Sequence, residues 1–199
     1  MRGGFARVSD DSRYLIFLVD DRGEGRLRRA SLAPDGSVSA PERVLRDGVE
    51  PDVRRFDLSR DGLLAFNVRQ ATGQMSVSLT KFPTGDGRWE VPGGGTFPHF
   101  SRDGSELFFI APVPARNSQG QLAARLVAVR ITATPPFFSG LPTPVLPEHA
   151  ARGAQEPRIG WFDVGPDNRF LMFRPLGGEA GDRRRTVVVQ NWPELLRRQ

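Results

Sequence analysis

An all-β fold of repeated, four-stranded antiparallel sheets is what this 199-residue sequence predicts, and three features carry the prediction. A short apolar strand, an Asp-containing turn and a second apolar strand recur four times along the chain. Each recurrence is followed by more strand-like sequence. Gly and Pro, at 22 and 17 residues, punctuate the chain too often for a bundle of long helices.

The first copy runs from Phe5 through the turn Ser9-Asp10-Asp11-Ser12 to Phe17, and the second from Phe56 through Ser59-Arg60-Asp61-Gly62 to Phe66. The third runs from Phe97 through Ser101-Arg102-Asp103-Gly104 to Phe109. The fourth runs from Trp161 through Gly165-Pro166-Asp167-Asn168 to Phe173. A tight link between antiparallel strands needs a residue at positive φ, which Gly supplies and Asn or Asp tolerates. Ser and Asp at the turn's start bind nearby backbone N–H groups and set its shape. Apolar residues on both sides of each turn imply strands buried on both faces, as when one sheet stacks between two others.

Further strands are expected at residues 25–33 and 42–45 after the first copy, and at 74–82 and 88–91 after the second. The third is followed by strands at 122–131 and 143–146, separated by a Pro-rich loop over 132–142. In the fourth, one strand at 186–190 precedes a short helix over 192–199, with Pro193 in its first turn and Glu194 at its positive end.

Turns recurring every roughly 40 to 65 residues, each heading a four-stranded sheet, are the pattern of β-propeller blades. The blades expected are 5–48, 50–92, 96–147 and 158–192. The turns resemble the Ser-Pro-Asp-Gly turn of the TolB-like, WD-repeat-like bacterial β-propellers, with Arg replacing Pro in the second and third copies. Two longer stretches also resemble that family: 82–98, with its Gly93-Gly94-Gly95, as an inter-blade junction, and 162–172 as its final blade. The segment Val187-Val188-Val189-Gln190-Asn191-Trp192-Pro193-Glu194-Leu195 resembles the end of propellers attached to bacterial eukaryotic-type serine/threonine kinases.

This resemblance implies a propeller fragment of about four blades with an incomplete ring, since the family closes with about six or more. It implies a non-catalytic interaction or sensing module, the C-terminal part of a receptor-like serine/threonine kinase or of a TolB-like periplasmic protein. The extracytoplasmic side is the compartment it favours. Partners implied are a protein or peptide ligand or the missing blades of a parent chain, with self-association through open blade faces. The loops 112–121 and 135–158 are the expected recognition surfaces. Two alternatives stand: a propeller gating a serine peptidase of prolyl-oligopeptidase or tricorn type, or a truncated remnant without a function of its own.

Composition removes several other classes. Without cysteine there is no disulfide framework, thiolate metal site or cysteine nucleophile. Two histidines, His99 and His149, are too few for a multi-histidine metal centre. The longest apolar runs, 14–19 and 107–113, fall far short of the ~20 residues of a membrane helix. No apolar stretch of a signal peptide follows Met1-Arg2-Gly3-Gly4. The net charge of +5 comes from scattered arginines, many beside acids, as in Asp20-Asp21-Arg22. Only Arg183-Arg184-Arg185 forms a run, read as a solvated hairpin loop, so no nucleic-acid partner is expected.

No catalytic, cofactor-binding or metal-binding residue is predicted, and no cofactor. Neither a Gly-x-Ser-x-Gly elbow nor a kinase Gly-rich loop occurs. Gly93-Gly94-Gly95 lacks the Lys-Ser or Lys-Thr of a phosphate loop and reads as a flexible connection, while Gly23-x-Gly25 reads as a hairpin turn. Asp57 and Asp163 stand at equivalent positions ahead of their turns, where each caps a turn, bonds a neighbouring blade, or shares a cation. His99 sits in strand register near the expected channel, as a structural or solvated residue or a ligand contact. Trp89, Trp161 and Trp192 are expected to pack between blades or under the last helix.

Overall fold

The computed structural model describes residues 3–46, 51–116, 122–133, 136–145, 162–165, 169–173 and 186–188. Every regular element among them is a strand. The first sheet orders β1 (Gly3–Val8), β2 (Tyr14–Asp21), β3 (Glu24–Ser31) and β4 (Glu42–Arg43) in sequence, all antiparallel. The second repeats this with β5 (Val53–Leu58), β6 (Leu63–Arg69), β7 (Met75–Lys81) and β8 (Trp89–Glu90). The third comprises β9 (Thr96–Phe100), β10 (Glu106–Arg116), β11 (Leu122–Ala133) and β12 (Pro136–Pro144). The fourth shows three strands, β13 (Phe162–Val164), β14 (Phe170–Phe173) and β15 (Thr186–Val188). This is the all-β, four-sheet architecture of a propeller fragment. The helix expected over 192–199 lies outside the described residues.

The repeated turn fixes a common register. Its first residue donates its backbone N–H to the carbonyl of the residue that opens the next strand: Ser9 to Tyr14 at 2.9 Å, Ser59 to Leu63 at 2.8 Å, Ser101 to Glu106 at 2.9 Å and Gly165 to Arg169 at 2.7 Å. From that point strand alternation assigns faces. Ile16 and Leu18 of the first sheet meet Leu64, Phe66 and Val68 of the second, with Leu27, Val44, Phe56 and Leu58 completing the core of the unit Met1–Val91. In the unit Pro92–Gln199, Phe108, Ile110 and Leu126 of the third sheet meet Phe162 and Phe170 of the fourth. The expectation of strands buried on both faces holds for β6 and β7, each with five consecutive buried residues.

One stretch departs from the sequence reading. The Pro-rich segment expected as a loop over 132–142 is mostly strand: β11 continues to Ala133 and β12 pairs with it from Pro136 onward. As the edge of its sheet, β12 offers N–H groups to one neighbour only, so prolines at 136, 142 and 144 do not break the ladder. Its pairing slips by two residues between Ser139 and Thr143, where Gly140 takes φ +81° and Leu141 projects into solvent. Within the expected recognition loops 112–121 and 135–158, residues 112–116 and 136–144 are therefore strand, and apart from Val145 the rest of both lies outside the described residues.

Candidate functional site

The residue two places before each turn marks one repeated position on the inner edge strand. It is Arg7, Asp57, His99 and Asp163, paired across to Ile16, Ala65, Phe108 and Leu171. All four side chains are polar, but each has a different environment.

In the first unit the Arg7 guanidinium forms an ion pair with the Asp57 carboxylate. The Asp57 side chain is 6% exposed and that of Arg7 42%, so the pair brings a cation to a carboxylate already out of water. Asp57 thus bonds the neighbouring sheet, one of the roles expected for it. A second polar link lies at the strand ends. Asp52 accepts the Gly25 N–H at 2.8 Å and Arg54 Nη2 at 2.6 Å, while Arg54 Nη2 reaches the Gly23 carbonyl at 2.9 Å. Arg29 donates to the Pro83 carbonyl and to Glu42, and its guanidinium lies 5.5 Å from the Tyr14 ring centre.

In the second unit the His99 ring packs edge-on against Phe162, centroids 4.7 Å apart. His99 is half-buried in this contact between the third and fourth sheets, a packing role among those expected for it. Asp163 is exposed and accepts the N–H of the next residue, Val164, at 2.9 Å. The two aspartates matched by sequence therefore differ: one is buried against an arginine, the other caps its own strand. Among the described residues no three His, Asp or Glu side chains gather as a metal-binding group.

The turns carry the clearest electrostatics. Ser101 Oγ donates to Asp103 at 2.7 Å and accepts the Glu106 N–H at 2.9 Å, while Ser105 gives Asp103 both its N–H and its hydroxyl. These bonds, that from Ser101 first, hold the Asp103 carboxyl below its ordinary range. Ser9 and the Arg13 N–H do the same for Asp11, and Ser37 for Asp35 in the Pro34-Asp35-Gly36 turn. These carboxylates serve turn geometry.

The glycine motifs are structural too. Arg22 and Gly23, both at positive φ, close the β2–β3 hairpin, as the sequence predicts. Gly93, Gly94 and Gly95 all take positive φ. A Cβ on Gly95 would lie 2.5 Å from the Ile110 carbonyl oxygen, so the backbone there passes too close to β10 for a side chain. Trp89 lays its indole on Gly87. Trp161, Trp192, His149 and Arg183–Arg185 lie outside the described residues.

Two features escaped the sequence. Arg7 is one, although aligning the four copies on their turn residues would have placed it opposite Asp57. The other is backbone strain at Phe5 and Phe97, each four residues before its turn serine, at φ +64° and +56°. Both sit at a register slip of the inner strand. Phe5 is partly exposed, edge-on to Phe56 at 5.8 Å and 5.2 Å below the Arg55 guanidinium. Nothing in the residue pattern announces such bulges.

With this geometry, the molecule has the fold of the TolB-like β-propellers. A TolB-like protein from Agrobacterium tumefaciens matches with a TM-score of 0.50 at 16% identity, over 69% of this chain and 49% of that one. A structure described as a 6-phosphogluconolactonase from Bacteroides fragilis matches with a TM-score of 0.51 at 13% identity, over 86% and 50%. The β-propeller domain of the Trilobed protease from Pyrococcus furiosus matches with a TM-score of 0.48 at 11% identity, over 87% and 50%. At these identities the likeness is one of fold, and the chain spans about half the length of each. No protein-family model and no curated protein matches the sequence.

Proposed function

We propose that this chain is a non-catalytic interaction or sensing module, the C-terminal part of a larger signalling protein such as a receptor-like serine/threonine kinase or a TolB-like periplasmic protein. One observation carries the non-catalytic part: the polar side chains at the repeated inner-strand position are engaged in holding sheets together or capping a strand. Arg7 and Asp57 join two sheets, His99 packs on Phe162, and Asp163 binds its own backbone. Recognition then falls to loops and strand edges displayed by a rigid scaffold. The resemblance of 187–195 to the ends of kinase-attached propellers supports the signalling context.

Two measurements test this reading. The first is the nucleotide sequence upstream of the Met1 codon. A frame running on through further blades, a membrane helix and a kinase is expected, and an in-frame stop immediately upstream overturns the larger-protein part. The second is an assay of the purified chain on 6-phosphogluconolactone, given one neighbour's description. Hydrolysis no faster than the buffer blank is expected, and turnover lost on Asp57→Asn overturns the non-catalytic part.

A further inference from the structure

The inner strands of the first two sheets meet side chain to side chain at two successive levels. β1 and β5 each end their sheet, with β2 and β6 as their neighbours. At one level the Arg55 guanidinium lies 5.2 Å from the Phe5 ring centre. Two residues further along both strands, Arg7 forms its ion pair with Asp57. Phe5 is bulged out of the β1–β2 register at φ +64°, and Phe97 of the third sheet also takes a positive φ at a register slip. Phe97, however, packs half-buried against the core of its unit, whereas Phe5 is 44% exposed. The bulge therefore belongs to the repeat, and the exposure to this one position. The Phe5 ring stands edge-on to Phe56, so it is directed toward the second sheet rather than away from it.

Burial divides the ion pairs along this seam unequally. The Asp57 side chain is 6% exposed and that of Arg7 42%, while Asp52 is 13% exposed and its partner Arg54 39%. Each carboxylate is sunk against the first sheet and each guanidinium reaches water. The water-facing side of the seam is therefore basic, although its pairs are formally neutral. Arg55 adds a third guanidinium, half-buried on the Phe5 ring. Along the seam an exposed aromatic ring with a planar cation stacked on it is followed by a second exposed cation.

We propose that this seam binds an extended acidic peptide, with an aromatic side chain on the Phe5–Arg55 stack and a carboxylate, two positions along, at Arg7. The two levels lie one side-chain period apart, about 6.5 Å, which is the spacing of same-face residues in an extended chain. A guanidinium offers a flat face to an aromatic ring and N–H donors to a carboxylate, so arginine serves both levels. Asp57 fixes the Arg7 side chain in advance, which lowers the cost of ordering it around a ligand. A basic peptide would instead meet three guanidiniums and be repelled. The proposal rests on the recognition role above and names the class of ligand recognised.

Fluorescence anisotropy of the full chain tests the assignment, with the labelled, end-blocked peptide Gly-Ser-Phe-Ser-Glu-Ser-Gly as probe. Saturable binding is expected, weaker at higher salt and about tenfold or more weaker for the same peptide with Lys in place of Glu. Phe5→Gly and Arg55→Gln should each weaken it by about fivefold or more. Glycine adopts the φ of +64° without strain, so Phe5→Gly removes the ring and spares the sheet, which matching far-UV circular dichroism confirms. Arg60→Gln, in the exposed turn pair with Asp10, should leave the affinity unchanged. Absence of saturable binding up to about 1 mM overturns the proposal. So does equal affinity for the two peptides, or indifference to either Phe5→Gly or Arg55→Gln. A chain that passes the tests of the recognition role but ignores the peptide fails this proposal alone. Turnover of 6-phosphogluconolactone lost on Asp57→Asn fails that role whatever the peptide does.

Discussion

The third turn shows how one hydroxyl organises a blade. Ser101 is buried, and its Oγ both accepts the Glu106 N–H and donates to Asp103. Replacing it with Ala strands a buried donor, so Ser101→Ala should cost about 1–2 kcal/mol in urea unfolding. The Asp103 carboxyl, bonded by Ser101 and Ser105, has its pKa lowered from the ordinary 3.8 in the folded state. The unfolded chain then binds more protons than the folded one as pH falls. Its contribution is complete above the ordinary value and is lost as pH drops through the lowered one. Asp103→Asn keeps an acceptor but does not titrate, so its urea midpoint should fall less steeply on acidification than that of the parent. The first turn offers a contrast: Ser12 stands where the second and third turns have glycine, and takes φ +56°. A left-handed L-residue costs about 1–2 kcal/mol, and glycine's extra freedom when unfolded returns part of that. Ser12→Gly should therefore raise the melting temperature by a few degrees, and a fall would show that the Ser12 side chain contributes to the turn. These turns were legible in the sequence because their chemistry is local: donor, acceptor and positive-φ residue lie within six positions.

Elements were legible where their partners are near in sequence and obscure where they are not. Hairpins such as β2–β3 and β6–β7 announce themselves by alternation around a Gly-containing turn. β12 hid behind its prolines, because composition cannot say that a strand lies at an edge and need serve only one neighbour. The Arg7–Asp57 pair hid for a related reason: its members lie in different sheets, and pairing depends on how those sheets stack. Stacking is close at Gly25, where an added Cβ would fall 1.8 Å from the Val53 carbonyl oxygen. Gly25→Ala must push the β3 edge away from β5 and strain the Asp52 bond to the Gly25 N–H, at a cost of about 2–3 kcal/mol. Gly23, two residues away, has open space around its Cβ position and only its φ of +85° to defend. Gly23→Ala should cost about 1–2 kcal/mol, and equal losses for the two variants would refute the close-approach argument.

At the scale of the whole molecule, the unequal burial of equivalent residues links the fold to its behaviour in solution. A propeller blade is stable because both its faces are covered, and the repeat gives each sheet nearly the same two faces. Where Phe66 is fully buried its counterpart Phe17 is not, so part of the stabilisation built into the sequence is realised only when something covers the first sheet. Phe17→Ala should therefore lower the urea midpoint less than Phe66→Ala, whose loss from a fully buried site costs about 3–5 kcal/mol. Losses of equal size would show that Phe17 is covered in solution as fully as Phe66. A smaller loss at Phe17 leaves Leu15, Phe17 and Val19 as a surface the fold tolerates, because a side chain that is already half in contact with water gives up less apolar contact when it is removed.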